Sequence, residues 1–247
     1  PENCKLVTKK VDIVFNVLGA TGSPMVNNRY PGTFMVSNLL SNLNLLIAAK
    51  NSKVKNYLYT STYGVYSPAK IMREKDVWKT FPSEHDKFAG WAKRIGELQI
   101  EAFNKEFSFE SMHVVRPANI YGPYGNFNPK SSMVISSLVK KFADKQNPII
   151  VWGDGTAKRD FVYSGDVADS MIKIMEKKYE EPINIGSGKG TSIKKLVELL
   201  KEIFPGKKPK VIFDKSKPTG DKIRILDVTN LNKLGIKCNT NIKQGLK

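Results

Sequence analysis

Three stretches of this 247-residue chain end an apolar run in polar or glycine-rich sequence: Asn16–Ser23, Thr60–Tyr66 and Arg116–Tyr124. Ends of that kind line a binding crevice when the runs are neighbouring strands of an open sheet. Farther along, Trp152 and Arg159 read by residue type first as a tryptophan closing a core strand and an arginine pairing with Asp160 or Asp166. The same types would also serve a nucleotide, since a guanidinium forks onto phosphate and an indole covers a base or sugar face. His85 and His113 read as a surface and a strand residue without metal or nucleophile spacing, so no metal site is expected.

Elements able to position these residues follow from periodicity. Val11–Leu18 reads as a buried parallel strand ending in the small-residue loop Gly19–Ser23. Tyr30–Lys50 carries Met35, Leu39, Leu40, Leu43, Leu46 and Ile47 at helical spacing. Lys55–Thr60 is the next strand, Asp86–Phe107 a long helix, and His113–Arg116 a strand ending at Pro117. The second half predicts strands at Ile149–Trp152, Ile183–Ile185, Val211–Phe213 and Ile223–Leu226, and helices at Val167–Lys178 and Ser192–Phe204. Strands alternating with helices predict an α/β fold with a doubly wound parallel sheet. Shorter, Gly/Pro-rich elements predict a smaller C-terminal lobe from about Gly122, giving a first domain over 1–121 and a lobe over 122–247 with some segments returning to the sheet.

Composition sets the outer bounds. A chain of this length with 40% hydrophobic residues buries a real core, and 26% charged with 10% aromatic residues excludes a disordered polymer. The longest uninterrupted apolar runs, such as Leu45–Ala49, are too short to span a bilayer, and no secretory leader opens the chain. Cys4 and Cys238 stand at opposite ends without metal spacing, which predicts a reducing, cytoplasmic setting. Lys plus Arg total 40 against 23 Asp plus Glu, for a net charge of +17. Only six of the basic residues are Arg, and the lysines fall in short clusters such as Lys140–Lys141 and Lys207–Lys210. Basic residues so dispersed do not single out nucleic acid as the partner, whereas a few of them would serve a nucleoside diphosphate.

The ordered series TSTYGVY (60–66), GWAK (90–93) and RPANIYGP (116–123) resembles the extended short-chain dehydrogenase/reductases, the NAD-dependent epimerase/dehydratase family. VWGDGTAKRDFVY (151–163) and FDKSKPTGDKIRILDVT (213–229) are similar to its GDP-fucose synthase-like nucleotide-sugar enzymes. The resemblance implies a Rossmann-like fold, NAD or NADP, hydride transfer at C4 of a nucleotide-diphosphate sugar, GDP-linked by its nearest pattern, and a homodimer built on the two long helices. It implies Thr62 at the sugar oxygen and Lys93 at the nicotinamide ribose. Val17, Leu18, Gly19, Thr60, Pro117, Asn119 and Ile120 fall at its cofactor positions. Tyr63, Asn119, Lys141, Trp152, Arg159 and Lys217 fall at substrate positions.

Departures matter as much. The family's catalytic tyrosine stands four residues before the lysine, one helical turn away, and here that place is Ala89. Three readings follow: an engineered Tyr→Ala change, a natural enzyme using Thr62, Tyr63 or a water chain, or a protein that binds without turnover. Gly64 and Met133 stand where fucose synthases carry the Cys and His of epimerisation, so epimerisation at C3 and C5 is not expected. No G-x-x-G-x-x-G opens the chain, and Pro1–Lys10 leads into what resembles the family's fourth strand. Ile242–Lys247 resembles the start of a final helix. The resemblance therefore implies a fragment lacking the first βαβ unit, roughly 30 residues, and with it the pyrophosphate loop.

Overall fold

A computed structural model describes the chain except Thr21, Ser23, Lys207 and Pro218, and except the side chains of Pro24, Met25 and Asn28. Parts of the Gly19–Ser23 loop, the Lys207–Lys210 cluster and the Lys217-Pro218-Thr219-Gly220 motif thus lie outside the described residues.

Four parallel strands form the main sheet: β1 (Ile13–Asn16), β2 (Asn56–Thr60), β3 (Ser111–Pro117) and β7 (Ile183–Ile185), in that order. Register pairs Phe15 with Leu58, Leu58 with His113 and Val115 with Ile183. Successive side chains point to opposite faces, and both faces are covered. Tyr57, Tyr59, Met112 and Val114 meet Leu45, Leu46 and Ile100 of helices α3 (Pro31–Asn51) and α4 (Lys87–Glu106). Leu58, Val115, Ile183 and Ile185 meet Met171, Ile174 and Met175 of α6 (Ser164–Glu176) on the other face. This is the doubly wound arrangement that the alternation of strands and helices predicts.

The second half adds smaller sheets. β4 (Asn119–Tyr121) and β10 (Ile223–Arg224) flank β6 (Lys158–Tyr163), which also pairs antiparallel with β8 (Gly190–Ser192). β5 (Ile149–Trp152) pairs in parallel with β9 (Val211–Asp214). Their core joins Ile135, Leu138 and Phe142 of α5 (Val134–Ala143) to Leu196, Val197 and Leu200 of α7 (Ile193–Ile203). Ser192 caps α7 by accepting from the Lys195 amide at 3.1 Å.

Two of the elements read from the sequence need correction. The predicted 11–18 strand shortens to β1, because Lys10 turns the chain at φ 59° and Val17 already leaves the ladder. α3 is long and apolar enough to cross a bilayer, which counting uninterrupted runs does not register. In this fold it packs on α4, and its interior polar residues are paired: Asn42 Nδ2 donates to Gln99 at 2.8 Å and Asn38 Nδ2 to the Phe34 carbonyl at 2.8 Å. Cys4 and Cys238 are free and belong to different core clusters.

Candidate active site

The carboxyl ends of β1, β2 and β3 meet at α4. Lys93, only 8% exposed, stretches from the helix to donate to the Leu18 carbonyl at 3.1 Å and the Thr60 carbonyl at 2.8 Å. Burial, the largest influence, lowers its pKa to about 8, while Glu97 opposes that shift. A Cβ at Gly19 would lie 3.4 Å from the Lys93 ammonium, so Leu18, Gly19, Thr60 and Lys93 share one corner. Val17 and Leu18 are exposed beside it.

Close approach of α4 depends on glycine. A Cβ at Gly90 would stand 2.4 Å from the Gly64 carbonyl, and one at Gly96 would stand 2.2 Å from the Tyr59 hydroxyl. The turn after β2 is held as tightly. Thr62 Oγ1 accepts from the Gly64 amide at 3.2 Å, and Arg94 Nε and Nη2 donate to the Val65 carbonyl at 2.9 and 2.6 Å. Ser61 Oγ bonds Glu97 at 2.5 Å, and Glu97 takes a fork from Arg116 at 2.9 and 2.6 Å. One buried ion pair thus joins β2, α4 and β3 where Thr62 and Lys93 project. Ala89 lies half-buried on the same helix, between Asp86 and Lys93, and carries no proton to exchange.

A cleft of about 280 Å³ opens between the segments that follow β2 and precede α4, with Tyr63, His85 and Asp86, and the second half; Thr62 and Lys93 are not in its lining. Tyr63, Asn119, Lys141, Trp152 and Arg159 all line it. Trp152 is 40% exposed at the end of β5, so it does not close a core strand. Arg159 donates to the Thr219 carbonyl at 3.0 Å and to the Lys158 carbonyl at 2.9 Å. Neither candidate acid is its partner. Asp160 is spent on Ser187, whose amide and hydroxyl donate to it at 3.0 and 2.6 Å, and Asp166 accepts from the Thr240 amide at 2.8 Å. Lys141 is half-buried and donates to the Ile150 carbonyl at 2.7 Å, with its pKa lowered by burial. Asn119 Nδ2 donates to the Asp160 carbonyl at 3.0 Å, which turns β4 towards β6.

Lys217 is not brought to the wall. It is exposed in the turn after β9, while Thr219 and Gly220 of the same loop line the cleft. Pro117 is buried in β3 and Ile120 is 45% exposed in β4. Met133 lines the cleft and Gly64 packs against Asp86 and Thr62.

Sequence reasoning passed over Asp86 and Arg224, both in the cleft wall. Arg224 Nη2 lies 2.6 Å from Asp86 and 2.7 Å from Asp221, and its guanidinium sits 5.1 Å from the Tyr63 ring centroid. The available signal was scarcity. With six Arg among forty basic residues, forks go where geometry demands them: Arg94, Arg116 and Arg224 are buried.

A parallel sheet covered by helices on both faces is the doubly wound α/β fold, in which ligands bind beyond the carboxyl ends of the strands. The profile of the NAD dependent epimerase/dehydratase family matches residues 2–186, and the chain belongs to that family. It is 31% identical to the GDP-L-fucose synthase of Escherichia coli over 97% of this chain and 79% of the relative. It superposes on the UDP-glucose 4-epimerase of Thermotoga maritima, solved with UDP-glucose, at TM-score 0.84 and 26% identity, covering 100% of this chain and 79% of the other. A Naegleria fowleri GDP-L-fucose synthetase bound to NADP shares the fold at TM-score 0.83 and 23% identity, over 96% of this chain and 75% of that one.

Proposed function

We propose that the protein transfers hydride at C4 of a nucleotide-diphosphate sugar, GDP-linked, with the cleft as the nucleotide-sugar site. One observation carries this reading: Tyr63, Asn119, Lys141, Trp152 and Arg159, scattered over almost a hundred positions, line a single cleft, and Tyr63 directly follows Thr62. Three cationic side chains of that wall, Lys141, Arg159 and Arg224, suit a diphosphate. Trp152 offers its exposed indole to the base or sugar. Residues 1–121 then form mainly the dinucleotide side, and 122–247 mainly the nucleotide-sugar side.

The family's cofactor is NAD or NADP, and the strand ends fit its ribose end. Thr60 Oγ1 is buried without a hydrogen-bond partner in the described structure, and the main-chain carbonyl of the same residue accepts from the Lys93 ammonium at 2.8 Å. Lys93 and Thr60 would hold the nicotinamide ribose, with Val17–Gly19, Pro117, Asn119 and Ile120 around it. Bound there, the nicotinamide exchanges hydride with the sugar carbon. The protein's part is to fix the sugar oxygen at Thr62 and to exclude water between the lobes. Met133 and Gly64 offer no group that moves a proton from carbon, which supports redox chemistry without C3/C5 epimerisation.

Ala89 favours a second reading, binding without turnover. Titration calorimetry with GDP tests the site itself. Arg159→Ala and Trp152→Ala should each weaken GDP binding, the arginine by roughly 10- to 100-fold, as expected for a lost charge-assisted contact of about 1.5–3 kcal/mol. Unchanged affinity in both variants would place the nucleotide elsewhere. NADPH consumption with a GDP-linked 4-keto sugar separates enzyme from binder. GDP binding with no turnover, acquired only on Ala89→Tyr, would establish the second reading.

A further inference from the structure

Without a tyrosine at position 89, some other group of the cleft must carry the proton if the chain turns over. The titratable side chains that line it are Tyr63, His85, Asp86, Lys130, Lys140, Lys141 and the two arginines Arg159 and Arg224. Arginine does not release its proton. Asp86 is held by Arg224 at 2.6 Å. His85 is half-exposed and faces Asp221 at 3.9 Å. Lys130, Lys140 and Lys141 lie on α5 or the loop before it, and Lys141 is tied to the Ile150 carbonyl. Tyr63 remains, and it directly follows Thr62.

We propose that Tyr63 is the acid–base group of this protein, with Arg224 as the cation that holds its phenolate. This inference rests on the oxidoreductase reading above. Arg224 lies against the phenol ring, and Arg159 and Asp86 complete its charged surroundings. Burial, the largest influence, raises the Tyr63 pKa, Asp86 adds to that, and the two arginines oppose it. The phenol is therefore protonated at neutral pH and its conjugate base has cationic neighbours. In the reducing direction the sugar carbonyl carbon gains a hydride from the reduced nicotinamide, and the C=O π pair moves onto oxygen. That oxygen takes the Tyr63 proton to become the alcohol. The tyrosinate left behind is stabilised by Arg224 and Arg159 until solvent returns the proton. A phenol beside a guanidinium thus does at 63 and 224 what a phenol beside an ammonium would do at 89 and 93.

Tyr63→Phe keeps the ring that packs on the core around Leu58 and Val65, so the variant retains its fold. It should lower kcat for NADPH-dependent reduction of a GDP-linked 4-keto sugar by roughly 10²–10⁴-fold, far more than it shifts KM. Retention of wild-type kcat would overturn the proposal and leave the nucleotide-sugar reading standing. A wild-type protein that neither binds GDP nor consumes NADPH would overturn both. A second readout needs no turnover. The tyrosinate absorbance titration of wild type minus Tyr63→Phe isolates this phenol. GDP should move it to higher pH, because phosphate neutralises Arg224 and Arg159. A difference titration insensitive to GDP would overturn the assignment.

Discussion

Lys93 shows how one residue acquires a function from its surroundings. A free lysine is cationic far into the alkaline range, but burial between two strand ends brings this one to about 8. Below that pH it is an ammonium able to hold ribose hydroxyls, and above it a neutral amine. NADPH affinity, followed by fluorescence, should therefore fall as pH rises through about 8, and Lys93→Met should abolish that dependence. Stability has the opposite slope. The unfolded chain binds this proton more tightly, so Lys93 contributes a gain in stability as pH climbs from about 8 towards 10.5. Lys93, Trp152 and Arg159 could be singled out from the sequence because motif order marks them. Arg224 and Asp86 could not, since each acquires meaning only from a partner distant in sequence.

At the scale of elements, α4 does most of the positioning. Its glycines let it touch β2, its Arg94 pins the 63–65 turn, and Glu97 clamps Ser61 to Arg116. The clamp is buried on both sides, so removing one partner strands the other charge away from water. Glu97→Ala should cost about 3–5 kcal/mol, read as a large drop in Tm by calorimetry. It should also loosen Thr62 through Ser61. A change within experimental error would mean that water or the Glu74 carbonyl, which Arg116 Nη1 already reaches at 3.2 Å, compensates the arginine. The main-sheet strands could be read as short buried apolar runs, and both long helices from a 3.6-residue pattern. α5, β4, β6 and β8 went unassigned as elements, because such short pieces show too little of either pattern.

For the whole molecule, α3 and α4 present Val36, Leu40, Ile47 and Leu98 to solvent, each at least 40% exposed. We expect that surface to bury itself against a second copy. Light scattering should then give a dimer mass, and Leu40→Glu combined with Leu98→Glu should give a monomer that still binds GDP. A wild-type monomer would refute this. The charge of +17 is spread over the surface as lysine, and its arginines are kept largely for buried or cleft positions.

Local pattern determined the alternation of strands and helices, the polar strand ends and the ordered motifs, because periodicity and motif spacing are properties of neighbouring residues. The absence of a phenol at position 89 was equally plain. Tertiary structure decided that Arg159 faces a cleft instead of Asp160 or Asp166, that Thr219 and Gly220 line the wall while Lys217 of the same loop does not, and that Tyr63 shares its pocket with Arg224 and Asp86. Those outcomes depend on which distant segments compete for each charge and on how deeply the fold buries them, and no local pattern records either.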